Sequence, residues 1–328
     1  MSESDPVRIG LNGFGRIGRN VFRASLDDPR VEIVGINDVM DDETFEYLAK
    51  YDTVMGRLDG ASLDGGTLTV DGTDFEAGVF HETNPANLPW GELDVDVAFE
   101  DAVQHVDAGA DTTVISAPPK GDKPVLQIVY GVNHDEYDGE DVVSNASCTT
   151  NSITPVAKVL DDEFGIRAGQ LTTVHGYTGS QNLIDGPNSK PRRRRAAAEN
   201  IIPTTTGAAT ATTEVLPELE GKLDGMAIRV PVPNGSITEF VADLEADVTD
   251  GDVNAAFREA AAGDLAGVLG VTEDDLVSTD VLGQPYSTLV DLQNTNVVGG
   301  MTKILTWYDN EYGFSNRMLD VAEFVTEY

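Results

Sequence analysis

A chain of 328 residues is long enough to bury a sizeable core, and it reads as two packed domains rather than one. Its single cysteine excludes an internal disulfide and a cysteine-built metal site, and no stretch approaches the length of a membrane span. The balance of 57 acidic against 21 basic residues, a formal net charge of -36, argues against nucleic acid as a partner and points to a salt-rich cytoplasm, where about 1 M salt cuts the screening length to roughly 3 Å.

The N-terminal residues carry neither a basic nor an apolar leader segment, so a cytoplasmic protein is expected. Val7-Arg8-Ile9-Gly10-Leu11 reads as a first strand and runs into Asn12-Gly13-Phe14-Gly15-Arg16-Ile17-Gly18. The three glycines, Gly13, Gly15 and Gly18, suit a tight turn, close approach of backbone to a pyrophosphate, and close packing of the next helix on the strand. A second strand, Val31 to Ile36, delivers Asp38 twenty residues beyond Gly18, the spacing of a carboxylate that binds the adenosine ribose. A carboxylate there repels a 2′-phosphate and favours NAD over NADP.

Thr44 to Lys50 predicts a helix and Tyr51 to Gly56 a loop; Gly60 to Gly78 predicts a short hairpin region, and His81 a surface position. Strands are expected at Val95 to Phe99, at Thr112 to Ala117, which would place Ser116 at the ligand edge, and at Leu126 to Gly131. A helical stretch near Ala102 to Ala108 and a turn at Pro118 to Asp122 connect them. Strands alternating with helices after a dinucleotide-type turn predict a parallel, doubly wound sheet over roughly the first 148 residues.

The cysteine stands in Ser144-Asn145-Ala146-Ser147-Cys148-Thr149-Thr150-Asn151, which reads as the start of a helix capped by small hydroxyl and amide residues, with Pro155 tolerable only near its first turn. A thiol at a helix N-terminus meets unpaired N–H groups that favour thiolate, the form that acts as nucleophile. His175 ends a predicted strand that begins at Leu171 and supplies an imidazole able to take a thiol proton near neutrality. Further on, Arg192 to Arg195 form a basic run in a long loop, read as neutralisation at an acidic interface combined with a small-anion site. Arg229 stands inside an apolar strand, where an arginine is paired or anion-bound. Strands at Ile237 to Leu244, Ser287 to Leu292 and Thr302 to Tyr308, a helix at Val253 to Ala262 and an amphipathic helix from Ser315 close the chain.

Six motifs in order, Asn12 to Arg19, Ser147-Cys148-Thr149-Thr150-Asn151, His175-x-Tyr177-Thr178, Asn200-Ile201-Ile202-Pro203, Arg229-Val230-Pro231 and Trp307-Tyr308-Asp309-Asn310-Glu311, give a chain that resembles the phosphorylating glyceraldehyde-3-phosphate dehydrogenases over essentially its full length. The resemblance implies an α/β fold with an N-terminal Rossmann dinucleotide-binding domain (1–148), a second, α+β catalytic and oligomerisation domain (149–314) and a C-terminal helix (315–328) packing back on the first. It implies Cys148 as nucleophile and His175 as base, with Asn12, Gly13, Gly15, Arg16, Ile17, Gly18, Asp38, Ser116 and Asn310 around NAD. Thr178, Arg195 and Arg229 match the region that holds the substrate's C3 phosphate; Ser147, Thr149, Thr206 and Gly207 match the site of the attacking inorganic phosphate. The activity implied is reversible oxidative phosphorylation of D-glyceraldehyde 3-phosphate in glycolysis and gluconeogenesis, by a homotetramer, with no metal.

The chain departs from that family at several places. Phe99-Glu100 runs directly into Asp101-Ala102-Val103, about nine residues short of the family's adenine-side loop. Gly186 replaces a bulkier residue while Pro187 keeps the NAD-type pattern, and Ser180 and Lys190 stand where acids are common. Two alternatives stay open at this level: an erythrose-4-phosphate dehydrogenase, and a dinucleotide-binding interaction protein without turnover.

Overall fold

The computed structural model describes residues 5–99, 104–119 and 124–328 and groups them into two units. One takes in the chain through Ile128 together with His134–Ala146 and Ser315–Tyr328; the other takes in Val129–Asn133 and Ser147–Phe314. The division falls just before Cys148.

In the first unit seven parallel strands stand in the order Leu126–Gln127, Val142–Ser144, Thr112–Ile115, Val97–Phe99, Val7–Asn12, Val31–Asn37, Glu76–Phe80. Thr67–Val70 and Ala61–Asp64 extend the edge antiparallel. The order reverses at Val7–Asn12, which has Val31–Asn37 on one side and Val97–Phe99 on the other. Ligands of such sheets bind beyond the carboxyl ends of the strands at this switch point. Asn12, Asp38 and Ser116 each stand at the carboxyl end of a strand, as expected. Gly10 and Gly35 lie inside central strands because the ring of fully buried Trp90 packs over them; a Cβ on Gly35 would stand 2.8 Å from that ring.

Local expectations differ in several places, and the strand expected over Thr112 to Ala117 ends at Ile115. The strand expected over Leu126 to Gly131 stops at Gln127, since Val129 N–H leaves the sheet to donate to Asn133 Oδ1 at 2.9 Å. The expected loop Tyr51 to Gly56 holds a minimal ribbon, Tyr51–Asp52 against Gly56–Arg57. The hairpin region contains an additional strand, Ala61–Asp64, joined to Thr67–Val70 by Gly65 and Gly66, whose φ of 58° and 83° suit a two-residue turn. The helix expected over Ala102 to Ala108 is described as Gln104–Asp107. Residues 100–103, where the shortened adenine-side loop falls, and 120–123 of the expected turn lie outside the described residues. His81 is exposed, its Nδ1 2.9 Å from Asp38 O and its Nε2 2.7 Å from Asp42 Oδ1.

The second unit is a mixed sheet in the order Ile202–Thr205, Leu223–Val230, Ile166–Gly176, Ser236–Leu244, Met301–Tyr308, Thr288–Asp291, Leu269–Thr272, with Asn296–Val298 also on Met301–Tyr308. Its register does the positioning. His175 pairs with Arg229, Val174 with Ile237, and Ser236 with Tyr308, so these residues collect at one end of the sheet. Helix Cys148–Phe164 packs across that sheet, which buries Thr149 through Ala157. Pro155 sits in the interior of this helix rather than near its first turn. Tertiary burial of the whole face holds the helix through the one backbone bond that proline cannot make.

Candidate active site

The glycine-rich turn is built for a close-lying anion. Gly13 has φ 105°, in the region glycine adopts freely, and its N–H donates to Asn37 O at 2.7 Å. Gly18 is pressed against that turn: a Cβ there would stand 2.0 Å from Gly13 O. Gly15 is the opposite case, with nothing within 4 Å of its missing Cβ. It begins helix Arg16–Ser25, whose N-cap, being a glycine, makes no side-chain hydrogen bond to the first turn. Asp38 is fixed beside the turn, Oδ2 accepting from Phe14 N–H at 2.7 Å and Oδ1 from Met40 N–H at 3.1 Å. The open cradle, the uncapped helix and the carboxylate together fit a dinucleotide.

Asn12 and Ile17 are half-buried at the same turn, and Asn12 Oδ1 accepts from Asn37 Nδ2 at 2.6 Å. Arg16 bonds to Asp52, a buried carboxylate absent from the sequence reading. Buried His105 lies behind Asn12, its Nε2 3.3 Å from Asn12 Nδ2 and its Nδ1 accepting from Trp90 Nε1 at 2.9 Å. We expect Gly18→Ala to lower the thermal midpoint and NAD affinity together, at a cost of about 1–3 kcal/mol for the forced overlap. Gly15→Ala should lower NAD affinity alone, because its Cβ enters only the open cradle; fluorescence titration with NADH and thermal melts separate the two.

The reactive pair lies wholly in the second unit. Ser147 caps helix Cys148–Phe164, its Oγ accepting from Thr150 N–H at 3.1 Å, and this places Cys148 in the first turn. Cys148 Sγ and His175 Nε2 are 3.5 Å apart. On the other side of the ring, Nδ1 is 2.7 Å from Gly176 O. Two groups face Nδ1, the Gly176 carbonyl as an acceptor and Arg229 Nη1 as a donor; the tautomer that donates Nδ1–H to the carbonyl is the one that leaves the Nε2 lone pair facing the thiol, as a base requires. Arg229 Nη1 donates to the same carbonyl at 2.8 Å and lies 2.8 Å from Nδ1.

The charges set the resting state of this pair. Burial pushes the Cys148 thiol up, while the Arg229 guanidinium and hydrogen bonds at Thr149 draw it down without prevailing. His175 is lowered to about 3, by burial first and by the adjacent Arg229 second. Against the expectation that the helix end favours thiolate, burial works against the charged form of both groups.

Tyr308 is a site residue the sequence reading did not pick out. Its buried hydroxyl is 3.1 Å from Thr149 Oγ1 and 2.7 Å from Thr173 Oγ1, tying the cysteine helix to the histidine strand. Burial, followed by the nearby Cys148, raises its phenol to about 12. Asn310 is oriented just as firmly: Gly176 N–H donates to Ser236 Oγ at 3.2 Å, and Ser236 donates onward to Asn310 Oδ1 at 2.6 Å. That fixes which end of the Asn310 amide is its oxygen and leaves its NH2 as a donor. Asp309 anchors the turn by accepting from Asn234, Gly283, Glu311 and Tyr312. The only signal for Tyr308 and Asp309 in the sequence is their place in the Trp307-Tyr308-Asp309-Asn310-Glu311 motif.

Cations gather beside the pair without acids. Arg193 is half-buried, with Nε donating to Thr204 Oγ1 at 3.0 Å and Nη1 to Ser180 Oγ at 3.3 Å. Ser180 Oγ is in turn 2.9 Å from Thr178 Oγ1. Lys190 Nζ donates to Thr205 Oγ1 at 2.7 Å. Burial pushes Lys190 below its ordinary range, and the charges of Arg193 and Arg229 add to this. Among the described residues no carboxylate forms an ion pair with Lys190, Arg193 or Arg229, and Arg229 Nε is buried without a partner. In a chain of net charge -36 that arrangement selects an anion.

Arg195, expected at this position, is instead paired with Asp185 (Nε to Oδ2, 2.9 Å) on the exposed side of the loop. The turn Pro191–Arg194 aims Arg193 inward and Arg195 outward, a choice that four identical residues in a row conceal. Ser147 Oγ is engaged in capping, 2.7 Å from Thr150 Oγ1. Thr206 Oγ1 accepts from Ala208 N–H at 3.1 Å, and Gly207 precedes helix Ala208–Val215, so these two stand at a second helix start. Among the described residues no group of side chains could hold a metal ion, and no helix is long and apolar enough to cross a membrane.

Two family models match the chain: the NAD binding domain of glyceraldehyde 3-phosphate dehydrogenase over residues 7–107, and its C-terminal domain over residues 147–310. Relatives span nearly the whole length. The chain is 80% identical to a glyceraldehyde-3-phosphate dehydrogenase of Haloarcula vallismortis, over 99% of both chains. It is 53% identical to the enzyme of that name from Streptomyces coelicolor, over 97% of this chain and 98% of the relative. It is 50% identical to glyceraldehyde-3-phosphate dehydrogenase 1 of Bacillus subtilis, over 98% of both.

Proposed function

The chain belongs to the glyceraldehyde-3-phosphate dehydrogenase family, and from that premise we propose that Cys148 and His175 carry out its reaction in glycolysis and gluconeogenesis. The reaction is the reversible, NAD-dependent conversion of D-glyceraldehyde 3-phosphate and inorganic phosphate to 1,3-bisphosphoglycerate. The observation that carries the residue assignment is the 3.5 Å approach of Cys148 Sγ to His175 Nε2 at a capped helix start.

Nε2 takes the thiol proton as sulfur adds to the aldehyde carbon, forming a thiohemiacetal. The new Nε2–H and the N–H groups of the first helical turn stabilise the oxygen that bears the developing charge. NAD, when bound, supplies the acceptor for the hydride leaving that carbon, which becomes a thioester. His175 passes the proton to the oxygen, which completes the thiohemiacetal, takes it back as the carbon is oxidised, and then releases it to solvent. A phosphate oxygen then attacks the thioester carbon, the C–S bond breaks, and Cys148 is restored as acyl phosphate departs. On the cofactor side Gly13, Gly15, Arg16, Ile17 and Gly18 serve the pyrophosphate turn, Asp38 the ribose, Asn12 and Ser116 the strand edge, and Asn310 the nicotinamide amide. Thr178, Arg193 and Arg229 serve the substrate phosphate, and Ser147, Thr149, Thr206 and Gly207 the attacking phosphate.

The same reading makes the chain a cytoplasmic homotetramer, with residues 1–148 the NAD-binding domain, 149–314 the catalytic and oligomerisation domain, and 315–328 a helix returning to the first. Leu183, Ile184 and Ile201, each at least 70% exposed on the long loop region, support burial against a second copy. The acidic excess and the Haloarcula vallismortis relative support a salt-rich interior.

The test is initial NADH production by purified protein in concentrated KCl, with and without inorganic phosphate. Phosphate-dependent NADH is expected, and phosphate-independent production would assign hydrolytic release instead. We also expect activity and the tetramer to be lost together as KCl is lowered well below 1 M, because repulsion within a chain of charge -36 is then unscreened. Size-exclusion chromatography along a KCl series reads this directly.

A further inference from the structure

Asp38, the carboxylate assigned to the adenosine ribose, is held at four points. Its side-chain oxygens accept from Phe14 N–H and Met40 N–H, and its own N–H donates to Phe80 O at 3.0 Å. The fourth point is its carbonyl oxygen, which faces His81 Nδ1 at 2.9 Å. His81 follows strand Glu76–Phe80, and its Nε2 lies 2.7 Å from Asp42 Oδ1 in the first turn of helix Asp42–Lys50. One ring thus bridges the ribose residue and the start of the next helix.

Both partners of this ring are acceptors only. A peptide carbonyl and an ionised carboxylate offer lone pairs and no proton, whereas a neutral imidazole carries a single N–H. Either neutral tautomer leaves a nitrogen lone pair facing an oxygen lone pair, so both contacts are hydrogen bonds only in the imidazolium. The surrounding charges favour the same form. Asp42 bonds to the ring, and Asp41, which caps the helix through Thr44 N–H, acts on it from nearby. Glu82 is turned to Asn84 N–H and the Asp38 carboxylate to Phe14 and Met40. Among the described residues no lysine or arginine forms an ion pair with any of these four acids. Burial lowers the His81 midpoint, but the Asp38 carbonyl and the Asp42 carboxylate outweigh it and raise the ring above 6.5.

We propose that His81 is a positioning residue for the cofactor: as imidazolium it clasps Asp38 to Asp42 and holds the ribose carboxylate in place, and loss of its proton weakens binding of the adenosine half. The proposal rests on the cofactor-site reading above and adds that cofactor affinity falls as pH rises through the His81 midpoint. The clasp is exposed, and such pairs contribute little to stability, so substitutions at His81 leave the fold intact.

ADP-ribose is the probe, because it carries the adenosine half without a nicotinamide and so does not report the titration of Cys148 or His175. Its binding to the whole protein is measured by calorimetry in concentrated KCl between pH 6 and 9. The dissociation constant should rise about two- to tenfold over this range, the worth of one hydrogen bond. His81→Leu should bind at the weaker limit at every pH, with wild-type thermal melts. Asp42→Asn keeps an acceptor but removes the charge, and should move the inflection to lower pH. The chain has four histidines, so the His81 ring resonance is identified by its loss in His81→Leu, and its NMR titration should follow the affinity curve in both wild type and Asp42→Asn.

Equal affinity of wild type and His81→Leu at pH 6 overturns the positioning role and leaves the cofactor site standing. The wild-type pH dependence persisting in His81→Leu assigns it to another group, and a His81 midpoint at or below 6.5 removes the imidazolium clasp. Failure of both ADP-ribose and NADH to bind at any pH overturns the cofactor-site reading and the proposal with it.

Discussion

Cys148→Ser loses NAD reduction by at least roughly 10³-fold while retaining the fold. The serine keeps the place of the cysteine at the start of helix Cys148–Phe164, whose cap is Ser147 Oγ and therefore untouched. What changes is the nucleophile. A hydroxyl is far less acidic than a thiol, so the imidazole 3.5 Å away cannot ionise it as it does the thiol. Steady-state rates with glyceraldehyde 3-phosphate give the loss; circular dichroism and NADH binding at wild-type levels show that it is chemical. Wild-type kinetics in this variant would remove Cys148 from the mechanism.

His175→Asn is expected to cost roughly 10²–10⁴-fold in kcat, the range for loss of a general base. It should also change the acid stability of the protein. The folded-state value of about 3 lies below the roughly 6.5 of an unfolded histidine, so the unfolded chain binds the extra proton first as pH falls. The stability contributed by neutral His175 is therefore complete above about pH 6.5 and is lost as pH drops toward 3. His175→Asn removes this dependence, at most one proton or about 1.4 kcal/mol per pH unit. Denaturation midpoints at constant KCl between pH 7 and 4 should fall less steeply in the variant; parallel curves would show that His175 is not buried neutral.

Much of the first unit was legible because its determinants are local. The glycines at 13, 15 and 18 answer steric demands within one turn, and Asp38 follows from the length of one strand–helix–strand unit. Elements went unseen where the signal is short or shared. Ala61–Asp64 is a four-residue strand behind a Gly-Gly turn, and Leu126 to Gly131 has strand composition but loses its partner after Gln127. Among the arginines at 192 to 195 nothing in composition separates the one turned toward Thr204 from the one paired with Asp185.

The amino-acid sequence by itself determined the glycine-rich turn, the single cysteine at a helix start and the acidic excess, because each depends on residue type and near neighbours, whereas the approach of His175 to Cys148, 27 residues along the chain, is made by the tertiary fold. Tertiary structure decided the electrostatics of the centre. Register between strands far apart in the chain sets Arg229 against His175, joins Tyr308 to Thr149 and Thr173, and links Ser236 to Asn310. Burial then pushes the Cys148 thiol up where the helix end alone favours thiolate. Protonation state is a sum over charges and desolvation in three dimensions, and no linear spacing encodes that sum.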